Sequence, residues 1–111
     1  MQIWQRSPAL TVQIYQSTET FPEGEGFSLT NQMRRAAVSV PANIAEGCGR
    51  VGDAEVKRFL AIAMGSACEL DYYLLLSLEL DDLDERASRQ LGQELLEIRR
   101  MLATFIRKLG A

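Results

Sequence analysis

Two sets of side chains in this sequence could do chemistry. Glu46 and Glu69 lie at or near the apolar faces of helical segments, where a carboxylate can serve as a general acid or base. Around them, basic residues recur: Arg34-Arg35, Arg50, Lys57-Arg58, Arg99-Arg100 and Arg107-Lys108. A guanidinium fork suits carboxylates and phosphates alike, so these positions could pair with the chain's own acids or hold phosphodiesters. Histidine is absent. That removes Ser-His-Asp and Cys-His catalysis from the chain, together with His-based zinc or iron sites. No nucleotide-binding P-loop and no dinucleotide-binding glycine fingerprint occurs either. Without a nucleophile, metal motif or phosphate loop beside them, Glu46 and Glu69 read better as members of an interhelical ion-pair network than as an acid–base pair. Arg34, Arg35, Arg50 and Arg58 are the candidate partners. The expectation is a non-enzymatic protein with no metal and no cofactor.

Charge is distributed in blocks. Residues 51–85 hold two bases against nine acids, and residues 86–111 hold six bases against two acids. A net charge of −3 therefore leaves room for a local basic strip of Arg34, Arg35, Arg50, Lys57, Arg58, Arg99 and Arg100. Phosphate contacts from such a strip to RNA or DNA would be independent of base sequence, because no reading helix or RNA-binding aromatic motif accompanies it. The plainer alternative is solvated helix faces with ion pairs within and between subunits.

The elements that must position these residues are helical. The first segment runs roughly from Ile3 to Thr18, with Pro8 expected to delay its start or bend it. A Pro- and Gly-punctuated loop follows from Thr20 to Gly26. The second helix begins near Ser28, with Ser28 or Thr30 as cap, and ends at Gly47-Cys48-Gly49. Its apolar residues Leu29, Met33, Ala36, Val40 and Ile44 keep phase across Pro41, which predicts one kinked helix. Pro41 has no N–H for the Ala37 carbonyl, and Ser39 and Asn43 are the nearby side chains able to reorganise that break. Ser39, Pro41, Asn43, Glu46, Ser66 and Glu69 thus form an expected polar network.

The third helix is capped by Asp53 and carries a heptad seam at Val56, Leu60, Ala63, Ala67, Leu70 and Leu74. A second stripe runs through Phe59, Ile62, Ser66, Glu69, Tyr73, Leu76 and Leu80, so this helix should be covered on a wide arc, by its own bundle and by another subunit. Small residues at Ala36-Ala37, Ala42, Ala45 and Gly65-Ser66-Ala67-Cys68 predict close packing of the second and third helices. The fourth helix follows Asp84, with Leu91, Leu95, Ile98, Leu102, Phe105 and Leu109 as its seam and Gly110 as its stop. Short connections and 3-4 spacing specify an all-α, antiparallel up-down-up-down four-helix bundle, one domain over residues 1–111. The N-terminus lacks a secretory pattern, no stretch reaches about 18 apolar residues, and Cys48 and Cys68 stand alone among small residues. These features predict a cytoplasmic protein that does not engage a membrane.

The segments LTNQMRRAAVSVPANIAEGCGR and RFLAIAMGSACELDYYLLL, with the earlier IYQSTETFPEGEGF, resemble the bacterial four-helix-bundle proteins first met as open reading frames in intervening sequences of large-subunit ribosomal RNA genes. More distantly, the chain is similar to the accessory protein of diversity-generating retroelements. The resemblance carries Arg34, Arg35, Ser39, Pro41, Asn43, Glu46, Gly47, Arg50, Gly65, Ser66 and Glu69. It implies an antiparallel bundle assembled as a ring-like homopentamer. For the retroelement relative it also implies a basic surface that binds nucleic acid and reverse transcriptase. This chain departs from that relative in being acidic, with a pI near 4.9. The functional expectation is a homo-oligomeric scaffold or nucleic-acid-associated module, open to a further protein partner. The alternative is a purely protein–protein assembly module.

Overall fold

Apolar residues at spacings of three and four build amphipathic helices, and each must bury its stripe against a neighbour. The computed structural model describes residues 2–22 and 29–110, and the helix cap expected at Ser28 lies outside them. Among the described residues the chain is all-α, with four helices and no strand: α1 (Gln2–Thr18), α2 (Leu29–Cys48), α3 (Asp53–Glu79) and α4 (Glu85–Lys108). Each helix packs on two others, in the cycle α1–α2–α3–α4–α1, and the diagonal pairs do not pack. This is consistent with a four-helix bundle. Most of the expected seam residues fill its centre: Met33, Val40 and Ile44 of α2, Leu60, Leu70 and Leu74 of α3, and Leu91, Leu95, Ile98 and Leu102 of α4 are buried, together with Ile3, Leu10 and Ile14 of α1, while Val56, Phe105 and Leu109 are only partly buried.

Both internal prolines are carried within unbroken helices. α1 starts at Gln2, well before Pro8, so that proline does not delay it. α2 runs through Pro41 as one helix. The carbonyl that Pro41 leaves free is not met by Ser39 or Asn43. Thr11 Oγ1 of α1 donates to the Ala37 oxygen at 3.0 Å, sharing its hydrogen with the Ser7 oxygen at 3.1 Å. The defect in one helix is thus repaired from the next, as a buried backbone acceptor requires.

Close packing of α2 on α3 also differs from expectation in its details. Ala36, Ala37, Ala63 and Ala67 are buried, but Ala42, Ala45, Gly65 and Cys68 face outward. The glycine that matters is Gly47, where an added Cβ would sit 3.0 Å from the Phe59 Cβ. Gly65 faces open space.

Asp53 is the first residue of α3 and not its cap. Gly52, at φ +89°, precedes it and offers no side chain. Its positive φ is the reason a glycine stands there. Asp84 caps α4 as the sequence suggests, with Oδ1 accepting from the Ala87 N–H at 2.7 Å. The helix α3 corrects one further expectation. An 18-residue window within it reaches a mean hydropathy of 1.4 with at most two charged residues, so its length and composition would suit a membrane span. Here it is a bundle helix, and its inner seam is core.

Thr11→Val keeps the shape of the side chain and removes the hydroxyl that reaches Ala37. The expected result is a loss of about 1–3 kcal/mol in urea denaturation, with Thr11→Ser retaining most of it. Wild-type stability in Thr11→Val would show that the carbonyl is satisfied otherwise.

Candidate functional site

The half-buried polar residues beside Pro41 form a small cluster between α2 and α3. The Ser39 and Ser66 hydroxyls lie 2.7 Å apart. Asn43 Nδ2 donates to Ser39 Oγ at 2.9 Å and to the Ser39 carbonyl at 2.8 Å. Of the expected network, Ser39, Asn43 and Ser66 therefore meet around the proline turn, while Glu46 and Glu69 stay outside. Both carboxylates are exposed. Glu46 accepts from Arg50 one turn on, at 2.6 Å. Glu69 accepts from the Tyr73 hydroxyl at 3.4 Å. Burial, and secondarily Glu69, pushes the Tyr73 phenol above its ordinary range.

Among the described residues, the interhelical ion pairs expected of Arg34, Arg35, Arg50 and Arg58 with Glu46 and Glu69 are absent. Arg50 and Arg58 pair locally with Glu46 and Glu55, Arg35 donates to Gln32 at 2.6 Å, and Arg34 binds α1, as described below. Helical neighbours three or four residues away reach these side chains without crossing between elements. The true interhelical pairs involve other residues. Arg6 of α1 grips Glu94 of α4 with two bonds of 2.6 and 3.0 Å. This fork holds the Glu94 carboxyl below the usual carboxylate range. Arg99 of α4 reaches Asp71 of α3 at 3.5 Å. A clue to the first pair lay in the sequence: Arg6 is the only charged residue of α1, and a lone charge beside a core needs a partner.

The basic positions do not form one strip. Arg50 and Arg58 both lie over the Phe59 ring, 4.8 and 4.5 Å from its centroid. Gly47 lets that ring approach α2. Lys57 Nζ donates to the Gly110 carbonyl at 2.8 Å, which brings the end of α4, with Arg107 and Lys108, to the same end of the bundle. Glu46, Asp53 and Glu55 lie among them. Arg34 and Arg35 sit a helix length away at the start of α2. Arg99 turns to α3, and Arg100 pairs with Glu97 at 3.4 Å beside the groove between α1 and α4.

The chain matches the family model described as 23S rRNA-intervening sequence protein over residues 1–104. It belongs to that family. The fold is shared with a solved structure, a protein of unknown function from the S23 ribosomal protein family of Bacteroides thetaiotaomicron. The two are 24% identical, the match covers 95% of this chain and 98% of the other, and the TM-score is 0.86. No curated protein matches the chain.

Within this fold, Arg34 has a clear structural task. Its Nε donates to Thr18 Oγ1 at 2.9 Å and its Nη2 to the Tyr15 carbonyl at 3.2 Å, with the guanidinium 4.6 Å from the Tyr15 ring centroid. Thr18 in turn donates to the Ile14 carbonyl at 2.8 Å. The last turn of α1 contains no basic residue. Arg34 supplies one from the neighbouring helix, at the negative end of the α1 dipole. Lysine cannot reproduce this fork. We expect Arg34→Lys to lower stability by about 1 kcal/mol in chemical denaturation, while Arg35→Ala stays within about 0.5 kcal/mol of wild type. Equal effects would refute the distinction.

Proposed function

We propose that this chain is a non-enzymatic, cytoplasmic assembly module whose helices run up-down-up-down and whose copies close into a ring of five. The observation that carries the reading is the outer face of α3. Ile62 is 41% exposed, Tyr72 59% and Leu75 55%, and only 28% of the most apolar window of α3 is buried within the protomer. Water-facing apolar surface on this scale marks an interaction site. The antiparallel order is supported by the contacts between neighbours. Residues 33, 39 and 47 of α2 meet residues 77, 66 and 59 of α3 in opposite sequence order, and Thr11 and Thr18 of α1 meet Ala37 and Arg34 of α2 likewise. The count of five is what the family resemblance implies. Free thiols at Cys48 and Cys68 suit a reducing compartment.

Sedimentation or light scattering at micromolar concentration should give about 62 kDa, five subunits of 12.4 kDa. A mass of 12.4 kDa would overturn the reading.

A second reading, nucleic-acid association, is favoured by the corner where Arg50 and Arg58 share the Phe59 ring beside Lys57. A ring would repeat this corner once per copy. Filter binding to single-stranded RNA should then weaken steeply with salt and be lost in Arg50→Ala/Arg58→Ala. Absence of binding at low salt would eliminate it.

A further inference from the structure

Two outer faces of the protomer remain apolar, and they lie on helices that do not touch. On α1, the exposed residues include Trp4 at 42%, Val12 at 55% and Tyr15 at 41%, with Pro8 between them. α1 contributes no charged residue of its own to this face, since its single charge, Arg6, is taken by Glu94; the cation at its edge is Arg34 of α2, against the Tyr15 ring. On α3, Ala61, Gly65, Cys68, Tyr72 and Leu75 are exposed at spacings of four, three, four and three, which is a second heptad seam opposite the one in the core. α1 and α3 are diagonal in the bundle. A protomer with two different sticky faces on opposite flanks joins its copies head to tail, and such a contact closes into a ring when the two faces are inclined to one another.

We propose that the outer face of α1 in one copy seats on the outer face of α3 in the next, with Trp4 entering a notch at Gly65. The inference rests on the assembly reading above and assigns its interface. Three observations support a second copy as the occupant. The first is size. Thr11 is bonded to Ala37 and Ser39 to Ser66, so Thr11 lies near the level of Cys68. Moving seven residues toward the N-terminus in each helix, about 10 Å, brings Trp4 level with Ala61. In a ring with no rise per copy, the bulkiest side chain of α1 therefore faces the small-residue stretch of α3 at Ala61, one helical turn, about 6 Å, from Gly65.

The second observation is Gly65 itself. A glycine in mid-helix costs stability relative to alanine, and a Cβ there would meet nothing within 4 Å. Nothing among the described residues calls for it, whereas a neighbour's indole does.

The third is charge. The exposed stretch from Ile62 to Leu75 is centred between Cys68 and Glu69, so pairing α3 with α3 about a two-fold axis would set Glu69 against Glu69. The face of α1, with no charge of its own, avoids that repulsion and offers the amides of Gln13 and Gln16 instead.

Val12→Arg blocks only the α1 face, and Leu75→Arg only the α3 face. Both residues are exposed, and circular dichroism should report unchanged helicity. Each variant alone should sediment as a monomer, with self-association weakened about 30-fold or more. Their mixture should form a dimer of about 25 kDa, because one intact α1 face and one intact α3 face remain. Gly65→Leu tests the notch without introducing charge. It should raise the melting temperature of the dilute protomer while weakening assembly about 30-fold. Emission from Trp4, the only tryptophan, should shift to the red as wild-type protein is diluted.

If wild type is monomeric, the assembly reading fails and this inference with it. If wild type assembles but either arginine variant still self-associates, or the mixture stays monomeric, the face assignment alone is overturned. Normal assembly of Gly65→Leu would overturn the placement of Trp4.

Discussion

The carbonyl of Ala37 is the point on which the placement of α1 depends. Pro41 cannot donate to it, and it lies on a buried turn of α2. A buried acceptor without a donor costs about 1–3 kcal/mol. The molecule resolves this with the Thr11 hydroxyl, which ties α1 to α2 at mid-height. Arg34 makes a second tie near the end of α1. Between them, these polar contacts set the relative height of two helices whose apolar stripes alone would tolerate sliding.

α2 is consequently organised in two ways at once. Its inner face carries Met33, Val40 and Ile44 into the core, and its flank toward α3 is kept shallow at Gly47. Gly47 admits Phe59, and Phe59 supports Arg50 and Arg58. One missing Cβ thus decides where two cations of the corner stand. Gly65 has no such partner among the described residues, where an added Cβ would meet open space.

Most arginines have local obligations. Arg50, Arg58 and Arg100 meet acids within one turn, and Arg34 closes the end of α1. Local pairs of this kind are weak and screened, so they leave the guanidiniums at the α2–α3 corner close to solvent and exchangeable. The side chains that link helices by charge, Arg6 with Glu94 and Arg99 with Asp71, sit where sequence spacing gave no preference among many acids.

Hydrophobic periodicity made the four helices, their seams and the passage of α2 through Pro41 legible, because the 3.6-residue repeat is a local property that packing only has to accept. Length and loop spacing implied the bundle in the same way. The sequence also marked Ser39, Asn43 and Ser66 as polar residues beside the proline. It could not say that Thr11, 26 residues from Ala37 along the chain, would satisfy the freed carbonyl, nor that Glu46 and Glu69 would stay in solvent. Which glycine admits a neighbour and which acid meets which arginine were decided only in three dimensions. Those contacts join residues far apart in sequence, and their partners are chosen by the height and rotation of whole helices, which no local pattern encodes.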